Sequence, residues 1–290
     1  MNGTRAASSL TDLSTARALL TRVGDLTHVD VATLVSLPVI LFNVRHDDPS
    51  LVVALAFTAS AIASRRVRLA PWSWLGLAAV LGYRQSLDFI RLDDHVVLTV
   101  YWCAAVGLSL VTTDPARAIR RSAALLVGVV FLLAAIWKLT SGQFIDGRFF
   151  RFALVWDPRF HPMAEVTGQP KVGAYRDAYD TFVPAADIGG TLVWREGPRS
   201  AEVAGALTAW AVTIEAAVAI TFLLPLARLD RLRNVAMSAF LATYILVPVI
   251  GFATLLCVLA ATVTENQRWR RAYLVLIGVF FLWPPIRYRW

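Results

Sequence analysis

The sequence predicts an all-α integral membrane protein, a polytopic bundle of about eight transmembrane helices with both termini in the cytoplasm. Three observations carry this. Hydrophobic residues make up 57% of the 290 positions. Charge-poor stretches of near-membrane length recur from about residue 30 to the C-terminus, too regularly for a soluble core. The 28 Lys and Arg, which give a net charge of +8, fall in clusters between these stretches, whereas a nucleic-acid binder gathers them on one domain.

Taken in order, the expected spans are 27–45, 50–65, 69–84, 95–113, 121–139, 203–227, 234–263 and 271–287. Each is near, or a little short of, the roughly 20 residues that cross about 30 Å of hydrocarbon. The third, LAPWSWLGLAAVLGYR, is short enough to be tilted or partly buried. Residues 1–26 are polar, without a charged, apolar and cleavable order, and read as a cytoplasmic tail. Residues 27–290 form the helical domain. RRVR at 65–68, RAIRR at 117–121 and RLDRLR at 228–233 fall in alternate loops, which the positive-inside tendency places in the cytoplasm. The C-terminal RYRW agrees with this orientation, and RWRR at 268–271 falls outside and dissents. Pro248 and Gly251 predict a kink within a long seventh helix.

RHDD at 45–48, LDFIRLDDH at 87–95 and the long segment 140–202 then face the exterior, so chemistry is expected on the extracytoplasmic side. The long segment is polar with interspersed aromatics, and one or two short interfacial helices are expected within it. Its aromatics and arginines suit a protein partner. Cys103 and Cys257 lie inside spans without a CxxC partner and read as packing residues, and no His or Cys spacing suggests a metal site.

Four polar features stand out. His95 follows Asp93 and Asp94 in the first turn of the fourth helix. Lys138 ends the apolar run RSAALLVGVVFLLAAIWKLTSGQFIDG; about 17 residues at 1.5 Å each carry it across most of the hydrocarbon to the depth of His95. A lysine there either snorkels to the headgroups or faces the bundle interior, where apolar surroundings favour a neutral amine able to take a proton. His95 would orient a substrate or stabilise the anion formed, or simply meet interfacial water. Glu215, in ALTAWAVTIEAAVAITFLLPL, is the deepest charge; such a carboxylate is protonated, paired or open to water, with Arg84 or Lys138 as partner if packing brings them close. Asp146 and Gly147 suit a turn just beyond Lys138.

AAIWKLTSGQFIDG resembles the signature of the horizontally transferred transmembrane family, related to the membrane part of vitamin K-dependent gamma-glutamyl carboxylase. The family elements fall on Ala134, Ala135, Ile136, Lys138 and Leu139, then Phe144, Asp146 and Gly147. Asp93, Asp94 and His95 stand where the family has a polar pair before a histidine, and Glu215 where relatives tend to carry a glutamate. The resemblance implies that Lys138 deprotonates a hydroquinone, with His95 beside it and Glu215 handling protons or holding structure. It implies a quinone, menaquinol or vitamin K-like hydroquinone as cofactor, with Asp94 and Asp146 at the pocket rim. The chain departs from the pattern at two places. Trp137 is larger than the family residue, and Tyr244 in FLATYILVP stands where relatives commonly carry histidine. With 290 residues there is no room for the carboxylase's large extracytoplasmic portion, so carboxylation of protein glutamates is not expected. A four-helix membrane redox family is a partial lookalike, but the number of spans favours the larger one.

The competing class is a non-catalytic membrane accessory, immunity or lipid-binding protein. A transporter ranks third, since no inverted repeat or pair of interrupted spans is visible. Membrane lipid or quinone is the expected small-molecule partner, and nucleic acid is not.

Overall fold

The computed structural model describes residues 26–44, 48–87, 94–168, 197–224, 227–247 and 249–282. Among these, all regular structure is helical. The chain divides into two compact units, one containing residues up to Val127 together with Ile250–Trp283, the other Gly128–Val249.

The first unit begins with α1 (His28–Asn43). Thr27 caps it: its hydroxyl accepts from Asp30 N–H at 3.1 Å while the Asp30 carboxylate accepts from Thr27 N–H at 3.3 Å, a reciprocal box that serves two otherwise orphaned donors. The turn Val31–Val35 is wound wide. Pro38 explains the irregularity, because its ring cannot bond to the carbonyl of residue 34 and crowds it. Next come α2 (Ser50–Ala63), α3 (Arg65–Arg68), α4 (Pro71–Leu87) and α5 (Asp94–Leu110). Then α6 (Pro115–Thr140) starts where Asp114 accepts from Arg117 N–H at 3.1 Å. Pro115 at its first position needs no donor there.

The unit closes with α12 (Ile250–Val263) and α13 (Gln267–Leu282). All residues of α12 from Ala253 to Val263 are buried, as expected of a helix apolar on all sides. Cys103 and Cys257 are buried in this unit as free thiols. Trp102 donates to the Ser36 hydroxyl at 2.8 Å, which satisfies two buried polar groups at once.

The unit's two ends are distinct. At one, Arg68 approaches Asp30 at 3.8 Å, Arg120 pairs with Glu265 at 2.5 Å, and Arg270 donates to the Leu26 carbonyl at 2.9 Å. At the other lie Asn43, Asp48, Arg84, His95 and Gly251, and Phe281 packs edge-on against Phe42 with centroids 5.3 Å apart. The first and last described residues of the chain, Leu26 and Leu282, therefore lie at opposite ends of this unit.

The second unit holds the remainder of α6, the short helices α7 (Gly142–Ile145), α8 (Arg148–Trp156) and α9 (His161–Val166), then α10 (Ser200–Leu223) and α11 (Asp230–Leu246). Its part of α6 runs antiparallel to α10, with Gly128 against Leu223, Lys138 against Glu215 and Phe144 packed with Ala204. At Gly128 an added Cβ would lie 2.5 Å from the Leu223 side chain, so the glycine sets how closely the helices approach. Phe144, Phe150, Leu154 and Phe160 build a small core with Ala204 that Val247 also joins.

The segment 234–263, expected as one kinked span, is two helices, α11 and α12. Val247 leaves the helical region, with φ −126° and ψ 84°, in keeping with the bias of a residue before proline against the α conformation. Pro248 itself, residues 1–25, Asp93, 169–196 and the RYRW tail lie outside the described residues.

Among the described residues, α6 and α10 are long and apolar enough to cross a membrane, and only 28% and 33% of their most apolar stretches are buried.

Candidate functional site

Lys138 and Glu215 meet. The Lys138 ammonium donates to both carboxylate oxygens of Glu215 at 2.6 Å. Their side chains are 15% and 10% exposed, so the pair is largely withdrawn from solvent yet keeps an open edge. The Nζ also stands 5.3 Å from the centre of the Phe144 ring, a cation–π distance. The arrangement follows from the antiparallel register of α6 and α10. The close approach at Gly128 and the Phe144 core at the other end leave these two side chains facing each other between two apolar helix faces. An isolated charge would be costly there, and each partner offsets the other's desolvation. Trp137, 56% exposed, sets its ring edge-on against Phe144 with centroids 6.2 Å apart, so one side of it covers this core.

Beyond Lys138 the chain turns through Gly147 at φ +74°, a left-handed conformation that favours glycine. Asp146 accepts from Arg148 N–H at 3.0 Å and from its guanidinium at 2.5 Å. The backbone bond first, then the Arg148 charge, hold the Asp146 carboxyl below its usual range. Asp146 is thus engaged in its own turn. Tyr244, in α11, sets its ring edge-on against Phe240 with centroids 5.1 Å apart, and Phe240 in turn packs on Phe131 of α6. Arg84, considered as a partner for Glu215, instead pairs with Asp48 at 3.2 Å.

His95 belongs to the first unit, in the first turn of α5. Asp94 opens that helix, and its side chain lies outside the described part. A second polar arrangement surrounds the histidine. The Thr99 hydroxyl donates to the His95 carbonyl at 2.8 Å and accepts from Asn43 Nδ2 at 3.2 Å. Because the Thr99 proton is committed to the carbonyl, its oxygen can only accept, which fixes the orientation of the Asn43 amide. Asn43 Oδ1 is left buried without a hydrogen-bond partner. It faces Gly251, where an added Cβ would lie 2.4 Å from Oδ1 and 2.9 Å from the His95 ring. Asn43 and Thr99 were not anticipated as site residues. The signal available in the sequence was the lone amide in LPVILFNV, a polar group placed in an apolar run.

Chemically, the Lys138–Glu215 pair can exchange a proton internally, ammonium and carboxylate becoming amine and carboxylic acid. The Asn43–Thr99–His95 arrangement is neutral when the imidazole is neutral, and it fixes the position of the helix turn that bears His95. No family model, curated protein or solved structure matches the chain.

Proposed function

We propose that the chain is an integral membrane protein of the horizontally transferred transmembrane type that binds a reduced quinone and takes a proton from it with Lys138. The single observation carrying this reading is the Lys138–Glu215 pair, an amine and a proton acceptor 2.6 Å apart on the two longest apolar helices. The membrane setting is supported by the apolar surface that α6 turns outward, where Leu133, Ile136 and Trp137 are 59%, 47% and 56% exposed. A surface of that kind suits lipid better than water. At 26 and 24 residues, α6 and α10 reach about 39 and 36 Å at 1.5 Å per residue. The shorter helices are accommodated by local thinning of the bilayer.

On this reading nine of the described helices cross, one more than the eight expected, because 234–263 holds α11 and α12. The arginine clusters at 65–68, 117–121 and 268–271 then share the cytoplasmic side, and RWRR ceases to dissent. The end of α13 falls on the outer side, together with Asn43 and His95.

The mechanism begins with proton transfer from the Lys138 ammonium to Glu215 across their short hydrogen bond. The neutral amine then accepts a proton from a ligand hydroxyl, regenerating the ammonium beside a now neutral Glu215 acid. A reduced quinone supplies the acidic hydroxyl and the reactivity toward oxygen that follows its loss of a proton. Phe144 is fully buried and holds the ammonium over its ring, so a ring-shaped ligand would meet Nζ from the open edge of the pair. Tyr244 is assigned a ligand-orienting role, with Asp146 at the rim; His95 and Asp94 belong to the other unit and are not part of the proposed site. Glutamate carboxylation is not part of the proposal.

The test is binding and oxidation of a reduced menaquinone analogue by protein in lipid nanodiscs, for wild type and Lys138→Arg. Arginine keeps the charge and the pairing but cannot release its proton. Oxidation is expected to fall by about 100-fold or more, the lower range of general-base contributions, with binding retained. An arginine variant as active as wild type overturns the base role.

A second reading, a non-catalytic lipid-binding or accessory protein, is favoured by the two-oxygen geometry of the same pair, which suits a helix clamp. It predicts that Lys138→Arg is silent and that wild type binds no quinone.

A further inference from the structure

We propose that the arginine-lined His28 end of the first unit binds the phosphate of an anionic phospholipid headgroup. The inference rests on the membrane setting argued above and is independent of quinone chemistry.

Arg270 carries the argument. It is 7% exposed, and its guanidinium donates to the carbonyls of Leu26 and Thr264 at 2.9 and 3.0 Å. It also meets the His28 ring, with Nη2 3.1 Å from Nε2. His28 Nδ1 lies 2.8 Å from the Thr262 carbonyl, an acceptor only, so Nδ1 holds the proton and Nε2 accepts from Arg270. All these partners are neutral. No carboxylate pairs with Arg270 among the described residues, and its Nε–H is buried without an acceptor.

The same shortage extends across this end. Arg68, Arg120 and Arg271 each leave a buried Nε–H without a partner. Arg120 is already paired with Glu265, and Arg68 reaches Asp30 only at 3.8 Å. The segments RRVR, RAIRR and RWRR bring nine arginines here against three described carboxylates, Asp30, Asp114 and Glu265. Buried, unmatched guanidinium donors beside excess positive charge call for an anion with several acceptor oxygens, which a phosphate supplies side-on to Nε and Nη. The apolar flank of the same end identifies its carrier. Ile62, Leu108 and Val111, where α2 and α5 reach this end, are 62%, 58% and 60% exposed. A basic rim above an apolar flank fits a headgroup with its acyl chains, the charge attracted by the anionic leaflet.

The experiment uses the full chain in a mild detergent, titrated with short-chain phosphatidylglycerol, short-chain phosphatidylcholine or inorganic phosphate. Adducts are read by native mass spectrometry and by thermal shift. Phosphatidylglycerol is expected to bind at least about tenfold more tightly than phosphatidylcholine, and inorganic phosphate not to compete at equal concentration. Arg120→Gln and Arg271→Gln, which spare the buried Arg270, should each weaken phosphatidylglycerol about fivefold, the share of one arginine near an anionic surface. Phosphatidylcholine binding should be unchanged in both. Equal affinity for the two lipids, competition by free phosphate, or indifference to both substitutions overturns the headgroup site while leaving the membrane setting intact. A chain that stays dispersed without detergent and carries neither lipid overturns both.

Discussion

The two units solve the burial of polar groups in opposite ways. In the second unit, Lys138 and Glu215 are charged and compensate each other directly. In the first, Asn43, Thr99 and the His95 backbone form a neutral chain of hydrogen bonds, and the close approach of Gly251 makes room for it. A charged pair is vulnerable to loss of one partner, since the other then remains buried alone. A neutral network around a glycine is vulnerable instead to added volume. The first arrangement can move a proton between its members, whereas the second can only hold a side chain in place.

The largest effect should follow from breaking the pair on one side. Lys138→Met leaves Glu215 without its counter-charge and should cost about 3 kcal/mol, the lower end of the range for a buried pair. The double variant Lys138→Met, Glu215→Met should recover most of that loss. A double-mutant cycle by denaturant unfolding in micelles checks this, and additive losses would show that the pair does not couple.

Next is the glycine. Gly251→Ala places a methyl against Asn43 Oδ1 and the His95 ring, and overpacking of this kind costs about 1–3 kcal/mol. The loss should shrink in an Asn43→Ala background, which clears the nearer contact. Thermal unfolding of the four proteins measures the difference, and an unchanged penalty would mean that Asn43 is not what Gly251 accommodates. Gly147→Ala should cost about 1 kcal/mol, because an L residue at φ +74° is strained.

The smallest effect is electrostatic and lies at the rim of the first unit. Burial raises the Asp48 pKa, but hydrogen bonds from Ser50 and the Arg84 guanidinium outweigh it and hold the carboxyl below its usual range. A carboxyl depressed in the folded state contributes stability above its unfolded pKa, and loses it as pH falls through the folded value. With side chains 36% and 22% exposed, the contribution is a few tenths of a kcal/mol, about what a surface pair provides. Asp48→Asn should flatten the stability profile below about pH 4, near the usual carboxylate value, and leave it unchanged near neutrality. An identical acid limb in the variant would assign that loss to other carboxylates.

Much of the helical framework was legible, for physical reasons that differ by element. The apolar runs locate the principal helices because their period and lack of charge leave few alternatives, and the turn at Asp146 and Gly147 is written in its residue types. The start of α6 at Pro115 lies six residues before the expected 121; the Asp114–Pro115 step, a cap and a first-turn proline, marks it in the sequence. The division of 234–263 falls where the sequence has Pro248, a residue as compatible with a bend as with a break. Two consecutive apolar runs joined at a proline can be one kinked helix or two, and the non-helical dihedrals at Val247 end α11 before α12 begins at Ile250.

The site was legible as a set of residues and not as an arrangement. Lys138 and Glu215 each announced themselves as ionisable groups in apolar runs. Their meeting depends on the register between α6 and α10, which is set by Gly128 and Phe144 through contacts far apart in sequence. The partners of His95 illustrate the same limit, since Asn43 lies in a different helix and carries no charge to mark it.

The central claim is that Glu215 receives a proton when Lys138 acts as a base, and infrared difference spectroscopy of the carboxyl groups tests it most directly. Adding a reduced menaquinone analogue to the protein in nanodiscs should produce the carbonyl band of a protonated carboxylic acid in wild type. The band should be lost in Glu215→Gln and in Lys138→Arg. A wild-type protein that binds the analogue while Glu215 remains ionised would contradict the proton-handling role and leave the pair as a helix clamp.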